Sequence, residues 1–184
     1  HGGTLRATEG FTYAKAITLS HDGGTFDVVA GTLELGGTVS GGYGALNKTG
    51  AGTLLLSGVN SYNGPTTVSE GVLKLGNDRA LGVASTNSNR AVSPVYVRNG
   101  STLDIAGRGA WIGNFTLVDG TVADSAGGGV LGAYSFTMNK GTVDAVLADV
   151  VIPNSANTFN SINLFKRTAD TVTLNGANTY GGTT

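Results

Sequence analysis

The chain contains no cysteine, which excludes a disulfide framework and any thiolate metal site. Charge is scarce: Asp, Glu, Lys and Arg make up 12% of the 184 residues, about half their usual share in soluble domains. Eleven basic and twelve acidic residues leave a formal net charge of −1. No basic patch is available to neutralise phosphates, so nucleic acid is not an expected partner. The charges are also scattered singly, which argues against an electrostatic membrane patch. No apolar run approaches the roughly 20 residues needed to cross a bilayer. The longest, Ala145 to Ile152, is interrupted by Asp149 and stopped by Pro153, so membrane insertion by this segment is not expected. Proline contributes only 3 residues against 31 glycines, without glycine at every third position, and that excludes collagen.

What is present is hydrophobic residues at 40%, too many for a disordered chain, set among Thr, Ser, Asn and Gly. That mixture reads as all-β with many tight turns. Short stretches such as GTLELGG, GTLLLSG, VYVRNG, STLDIAG and FTLVDG recur, each bounded by Gly, Asn or Asp. Most alternate apolar and polar residues with the period of a half-buried strand. Leu103 and Ile105 share one face, Thr102 and Asp104 the other, and Leu73 and Leu75 lie together. Helical signals are weak: Asn77 to Gly82 suits one short turn. Asp144 to Ile152 has some helical spacing, but its valines, Gly141 and Pro153 favour strand. Arg98 to Thr102 offers a hairpin through Asn99–Gly100, but a corner between successive strands also needs positive φ there and is the preferred reading.

An internal repeat separates a closed sandwich from an open array. The segment LNKTGAGTLLLSGVNSYNGPTT, from Leu46, returns as LFKRTADTVTLNGANTYGGTT from Leu164. Leu46, Lys48, Leu56, Gly58, Asn60 and Tyr62 match Leu164, Lys166, Leu174, Gly176, Asn178 and Tyr180 at one constant offset of 118. The chain stops at GGTT, and its first residues, GGTLRA, resemble the EGVLKL that follows the first copy. The expectation is one β-solenoid segment over 1–184, part of a longer array. The repeat signature spans 46–82 and a second copy begins at 164–184.

Residues Lys48 to Gly82, KTGAGTLLLSGVNSYNGPTTVSEGVLKLGNDRALG, resemble the autotransporter-associated β-strand repeat. The likeness is strong over about 23–82 and again over 166–184, and loose between. The second copy departs from the pattern, with Thr168, Ala169 and Asp170 where the first has Gly50, Ala51 and Gly52, so its turn should differ. The resemblance implies a right-handed parallel β-helix in the passenger of a bacterial surface or secreted protein, exported across the outer membrane. It implies no particular ligand. Freedom from cysteine suits a chain that crosses the periplasm unfolded. With about 20–25 residues per coil and coils about 4.8 Å apart, the chain should make about eight coils, open at both ends. Leu54, Leu56, Leu73 and Leu75 should form apolar ladders, Asn60 and Asn178 should bond the backbone at corners, and Tyr62 and Tyr180 should pack over corners.

No constellation of residues carries chemistry. His21–Asp22 is the sole His–acid neighbour pair, and the Gly23–Gly24 that follows reads as a polar turn. Gly127, Gly129 and Gly132 give a formal dinucleotide fingerprint, but no helix follows and Asp144 lies too close. Gly41 to Asn47 superficially resembles a calcium-binding nonapeptide but lacks the Asp and the tandem copies that site needs. Asp22, Asp27, Asp104, Asp119, Asp124, Asp144 and Asp149 are dispersed, whereas glycoside hydrolysis needs a close pair. Trp111, the single tryptophan, reads as a core or corner residue beside Ile112 and Phe115, with an exposed ligand anchor as the alternative.

The expected protein is therefore not an enzyme, with no catalytic, cofactor-binding or metal-binding residues, no cofactor, and ligand-binding residues unassigned. The expected role is a structural or adhesive passenger segment, a rigid display stalk or a surface and matrix adhesin. End-to-end self-assembly into an extracellular filament and a carbohydrate-binding or carbohydrate-active β-helix are the alternatives. The expected partners are neighbouring repeats of the same polypeptide or other copies stacked end to end, with host-surface or matrix glycans as candidate ligands.

Overall fold

Three-to-five-residue strands broken by glycine and asparagine can fold back as hairpins or wind into successive coils, and the constant repeat offset favours winding. The computed structural model describes residues 2–82, 93–149 and 163–179, and within them the chain winds as a parallel β-solenoid. The first coil carries β1 (Gly3–Ala7), β2 (Phe11–Tyr13) and β3 (Ile17–Leu19), the second β4 (Gly24–Val28), β5 (Thr32–Leu35) and β6 (Val39–Gly41). The third has β7 (Leu46–Thr49) and β8 (Thr53–Leu56), the fourth β9 (Thr66–Val68) and β10 (Val72–Leu75). The fifth has β11 (Val95–Val97), β12 (Ser101–Asp104) and β13 (Gly109–Trp111), the sixth β14 (Asn114–Leu117), β15 (Gly120–Ala123) and β16 (Val130–Ala133). The seventh has β17 (Ser135–Met138), β18 (Gly141–Val143) and β19 (Val146–Asp149), and the eighth β20 (Leu164–Lys166) and β21 (Val172–Leu174).

The first strands of the coils form one eight-stranded wall and the second strands another. Among the described residues the strands pair in parallel: Gly3 lies beside Gly24, Gly24 beside Leu46, and Leu46 beside Thr66, steps of 21, 22 and 20 residues. Two steps are longer, from Thr66 to Val95 and from Phe136 to Leu164. They contain the two internal stretches outside the described residues.

The third wall differs from the expectation of about eight regular coils. Among the described residues it is strand in five coils, as a two-stranded sheet β3–β6 and a three-stranded sheet β13–β16–β19. Complete three-strand turns are therefore fewer than expected. Where the repeat signature passes through this wall, a side chain takes the place of the strand, as described below. No helix occurs among the described residues. Asn77 to Gly82 makes only a turn, Ala80 N donating to Asn77 O at 3.2 Å, and Val146–Asp149 is strand. Residues 150–152 lie outside the described residues.

The interior follows from alternation. Because paired residues in a parallel sheet sit one above another, each inward position becomes a column. Leu33, Leu54, Leu73, Leu103, Val122 and Val143 make one such column, and Leu35, Leu56 and Leu75 another. All are buried. In the first wall Phe115 and Phe136 stack edge to face, their rings 6.1 Å apart and inclined at 64°. The segment Arg98–Thr102 is a corner and not a hairpin, since β11 and β12 belong to different walls. Asn99 and Gly100 adopt φ of 56° and 73° there, a left-handed conformation open to Asn and Gly at low cost.

A column transmits any loss of volume to both neighbours. Leu54, fully buried between Leu33 and Leu73, should cost about 2–5 kcal/mol on truncation to Ala. Equilibrium urea unfolding of Leu54→Ala against the exposed-site control Val59→Ala checks this. Equal stability of the two variants would contradict the column.

Candidate functional site

The repeat signature concentrates its unusual residues in the third and fourth coils, and the structure gives each a task. Gly58 sits where a Cβ would lie 2.1 Å from the carbonyl oxygen of Gly37 in the preceding coil. Its counterpart Gly176 sits the same way, 2.2 Å from the carbonyl oxygen of Ala145. Any side chain would force two coils apart at that corner.

Asn60 is buried and binds in both directions along the axis. Its Oδ1 accepts from Val39 N at 2.7 Å, and its Nδ2 donates to Ala80 O at 2.6 Å. Val39 opens β6, the last strand of the two-stranded sheet, so the amide side chain closes an edge that would otherwise expose a backbone N–H. Asn178 repeats this: its Oδ1 accepts from Leu147 N at 2.9 Å, and Leu147 lies in β19, the last strand of the three-stranded sheet. The next residues also match, Ser61 N donating to Val39 O and Thr179 N to Leu147 O, each at 2.9 Å. The expectation that both asparagines bond the backbone holds, and their task is to terminate the third-wall sheets.

Lys48 was not singled out from sequence as an interior residue, yet it points inward from β7 between Phe26 and Val68 and is fully buried. Its Nζ donates to the carbonyl oxygens of Thr49 and Gly50, both at 2.7 Å, and of Glu70 in the next coil at 3.2 Å. Burial pushes its pKa down to about 8, partly offset by the charges of Asp27 and Glu70. Lys166 donates to Thr168 O and, at 3.2 Å, to Thr168 Oγ1, so the second turn differs as its Thr168 predicts. Tyr62 is fully buried and shares a 2.8 Å hydrogen bond with Thr66 Oγ1. Burial raises its phenol well above the ordinary range. It is a core residue, inside the corner that the sequence led us to expect it to cover. Tyr180 lies outside the described residues.

The acids serve corners. Burial raises the Asp104 carboxyl, but bonds from Ser125, Lys74 and Ala106 outweigh it and hold the group below the usual range. Its oxygens accept from Ala106 N and Ser125 N at 3.0 Å, from Ser125 Oγ at 2.7 Å, and from Lys74 Nζ at 3.1 Å. Asp124 ties Gly107 N and Gly129 N at 2.6 and 2.7 Å, so the formal glycine fingerprint is a corner leading into a strand. Asp144 accepts from Asn175 Nδ2 at 2.7 Å. Asp27 pairs with Arg6 at 3.4 Å and Asp119 with Lys140 at 3.4 Å. His21 and Asp22 occupy an exposed turn closed by Gly23 N donating to Ser20 O at 2.9 Å. Gly41 to Asn47 rounds the corner from β6 into β7. No group of three or more His, Cys, Asp or Glu able to hold a metal occurs among the described residues.

Trp111 stands apart. Its neighbours Ala110 and Ile112 are buried, and Trp111 itself is half-buried on the outer side of β13. It pairs with Gly132 of the next coil, and a Cβ on that glycine would meet two carbons of the indole at 2.1 and 2.2 Å. The ring therefore lies over the glycine, neither in the core nor at a corner.

Residues 46–75 and 166–184 match the family described as Passenger-associated-transport-repeat. The chain is similar to the Adhesin BmaC autotransporter of Brucella suis biovar 1 (strain 1330), with 34% identity over 153 residues that cover 76% of this chain and 4% of that protein. It is also similar to an Extracellular serine protease of Serratia marcescens, with 41% identity over 91 residues covering 49% of this chain and 7% of that protein. The chain thus spans a small fraction of the length of either relative. No solved structure matches it significantly.

Asn60→Ala should orphan Val39 N–H and Ala80 C=O, at about 1–3 kcal/mol for each buried group, and should speed amide exchange at Val39. Unchanged exchange there would disprove the edge-closing assignment. For Lys48 the unfolded chain binds the proton more tightly than the folded one, so between pH 8 and the ordinary 10.5 this group's contribution to stability rises with pH. Following its side-chain NMR signals should give a midpoint near 8.

Proposed function

From the transport repeat of autotransporter passengers that this chain carries at residues 46–75 and 166–184, we infer that the protein is a structural and adhesive passenger segment of a bacterial surface or secreted protein. The observation that carries this reading is the uninterrupted pair of eight-stranded parallel walls. Every coil is clamped to the next by backbone hydrogen bonds and shared columns, which makes a stiff spacer with long outward faces. The names of the two relatives, an adhesin and an extracellular protease, support a place outside the cell. Display at the outer membrane is the finer form of the same reading.

The non-enzymatic reading is supported by the occupations of the polar groups: the acids just described serve corners or surface pairs, and the chain's only histidines are His1 and His21. The likeness to a protease reaches 7% of that protein. The segment is also read as one stretch of a longer array. Lys48 and Asn60 complete their bonds on Glu70 O and Ala80 O of the following coil. Lys166 and Asn178 stand at the matching positions of the second copy.

Particles coated with the folded chain should be retained on matrix-coated or host-cell surfaces above the level of particles coated with an unfolded Leu54→Arg variant. Equal retention would count against adhesion and leave a pure spacer. Pulling single chains should show stepwise loss of coils at high force, and smooth low-force extension would contradict the stiff-spacer role.

A further inference from the structure

In coils five and six the corners that lead from the second wall into the third are held by acids rather than by packing. The first corner, residues 105–108, feeds β13, and the second, residues 124–129, feeds β16. Both turn through positive φ, 48° and 74° at Ala106 and Gly107, 77° and 80° at Gly127 and Gly128. For alanine that conformation is costly, because its Cβ crowds the following carbonyl oxygen. Apolar contact gives little in return. Gly107, Arg108 and residues 125–128 are exposed, and a Cβ on Gly127 or Gly128 would meet no atom within 4 Å. The corners hang instead on three carboxylates, one from each of coils four, five and six. Asp78 takes the N–H of Gly109, Asp104 those of Ala106 and Ser125, and Asp124 those of Gly107 and Gly129, at 2.6–3.1 Å. The bonds from Gly109, Ser125 and Gly107 run between coils.

We propose that these carboxylates form an acid-released latch: ionised, they fix the entrances to β13 and β16, and protonated, they let both corners go while the two eight-stranded walls stay closed. A carboxylate accepts on both oxygens, but an oxygen that takes a proton becomes a donor. Asp124 has a backbone N–H on each oxygen, so a proton on either one meets a donor. Asp104 has two N–H groups on Oδ1, and the Ser125 hydroxyl and the Lys74 ammonium on Oδ2. The hydroxyl can turn to accept the proton, and the ammonium cannot. The charged residues in the strands and turns around these corners, besides the three acids, are Lys74 and Arg79 of coil four, Arg108 of coil five and Asp144 of coil seven. Asp144 is engaged with Asn175 of coil eight at 2.7 Å. Lys74 is thus the cation that opposes protonation of Asp104. Burial raises the Asp104 carboxyl, but its bonds outweigh burial and leave it below the usual range. Its share of stability is therefore complete above the ordinary value of about 3.9 and is lost as pH falls through the lower folded value. The ladders of the two long walls are backbone to backbone and carry no titrating group. Release changes the outer surface where β13 and β16 begin, while the shaft itself holds.

Native-state amide exchange of the whole chain, each rate divided by the intrinsic rate at its pH, reads the latch residue by residue. Between pH of about 6.5 and about 2.5, protection at Ala106, Gly107, Gly109, Ser125 and Gly129 should fall at least about 10-fold, the factor that loss of a charged acceptor carries. Protection at Leu54, Leu73 and Val122, in the second wall, should change less than about 3-fold over the same range. Asp104→Asn combined with Asp124→Asn should show the low corner protection already at neutral pH and no further response to acid at Ala106, Gly107, Ser125 and Gly129. Lys74→Met, which removes an exposed cation and leaves the fold intact, should move the midpoint of release to higher pH. Asp119→Asn, at the corner between the first two walls, should leave that midpoint where it is. A fall shared equally by corners and second wall, no fall at the corners, or a midpoint that Lys74→Met does not raise overturns the proposal.

Discussion

The parallel backbone ladder between coils governs everything else in this protein. Each strand hydrogen-bonds to the strand one coil below and one coil above, at the fixed spacing of about 4.8 Å that such pairing imposes. Side chains of paired residues then have no freedom to interdigitate; they stack. A column must be chemically tolerant of itself, which is why Leu33, Leu54 and Leu73 repeat, and why a phenylalanine such as Phe115 is met by another, Phe136, turned edge-on. Lys48 survives in such a column only because the corner bends three carbonyl oxygens toward its ammonium group. Its charge is solvated by the backbone in place of water.

The same ladder explains the division of labour among the walls. Two walls run unbroken through all eight coils, and the third is built in two pieces. The pieces end at the repeat signature, where Asn60 and Asn178 offer a side-chain carbonyl to the backbone N–H that a strand would have satisfied. The signature is therefore a structural punctuation mark. Its glycine lets consecutive corners touch, its asparagine closes a sheet, and its lysine holds a turn. Between two marks, the wall is free to carry an outer surface of its own, and that is where Trp111 sits.

Much of this was legible in the sequence. Alternation placed Leu103 and Ile105 inward, the 118-residue offset exposed the repeat, and Asn99–Gly100 marked a corner. The asparagines could be read as backbone-bonding because an amide beside glycine at a turn has little else to do. What escaped was what depends on the third dimension. Lys48 occupies an inward position of its strand, but a charged residue between Asn47 and Thr49 gives no sign that carbonyls will gather round it. Tyr62 could be placed at a corner but not inside it, because the stretch around it has no strand period. Trp111 read as interior from its apolar company, yet the partner that sets it outside, Gly132, is 21 residues away. The incomplete third wall was hidden for a similar reason: strands of three residues leave too short a pattern to distinguish from turn.

The interrupted wall has a mechanical consequence. A beam with two continuous flanges and one slotted flange does not resist bending equally in all directions. Curvature that opens or closes the slots strains only a few side-chain amides, whereas curvature in the plane of either intact flange must stretch a full row of backbone bonds. A long array built this way would flex preferentially toward one side. The azimuth of that soft direction is set by the signature asparagines, so their spacing along a polypeptide would act as a register of where the shaft yields and which side it turns outward.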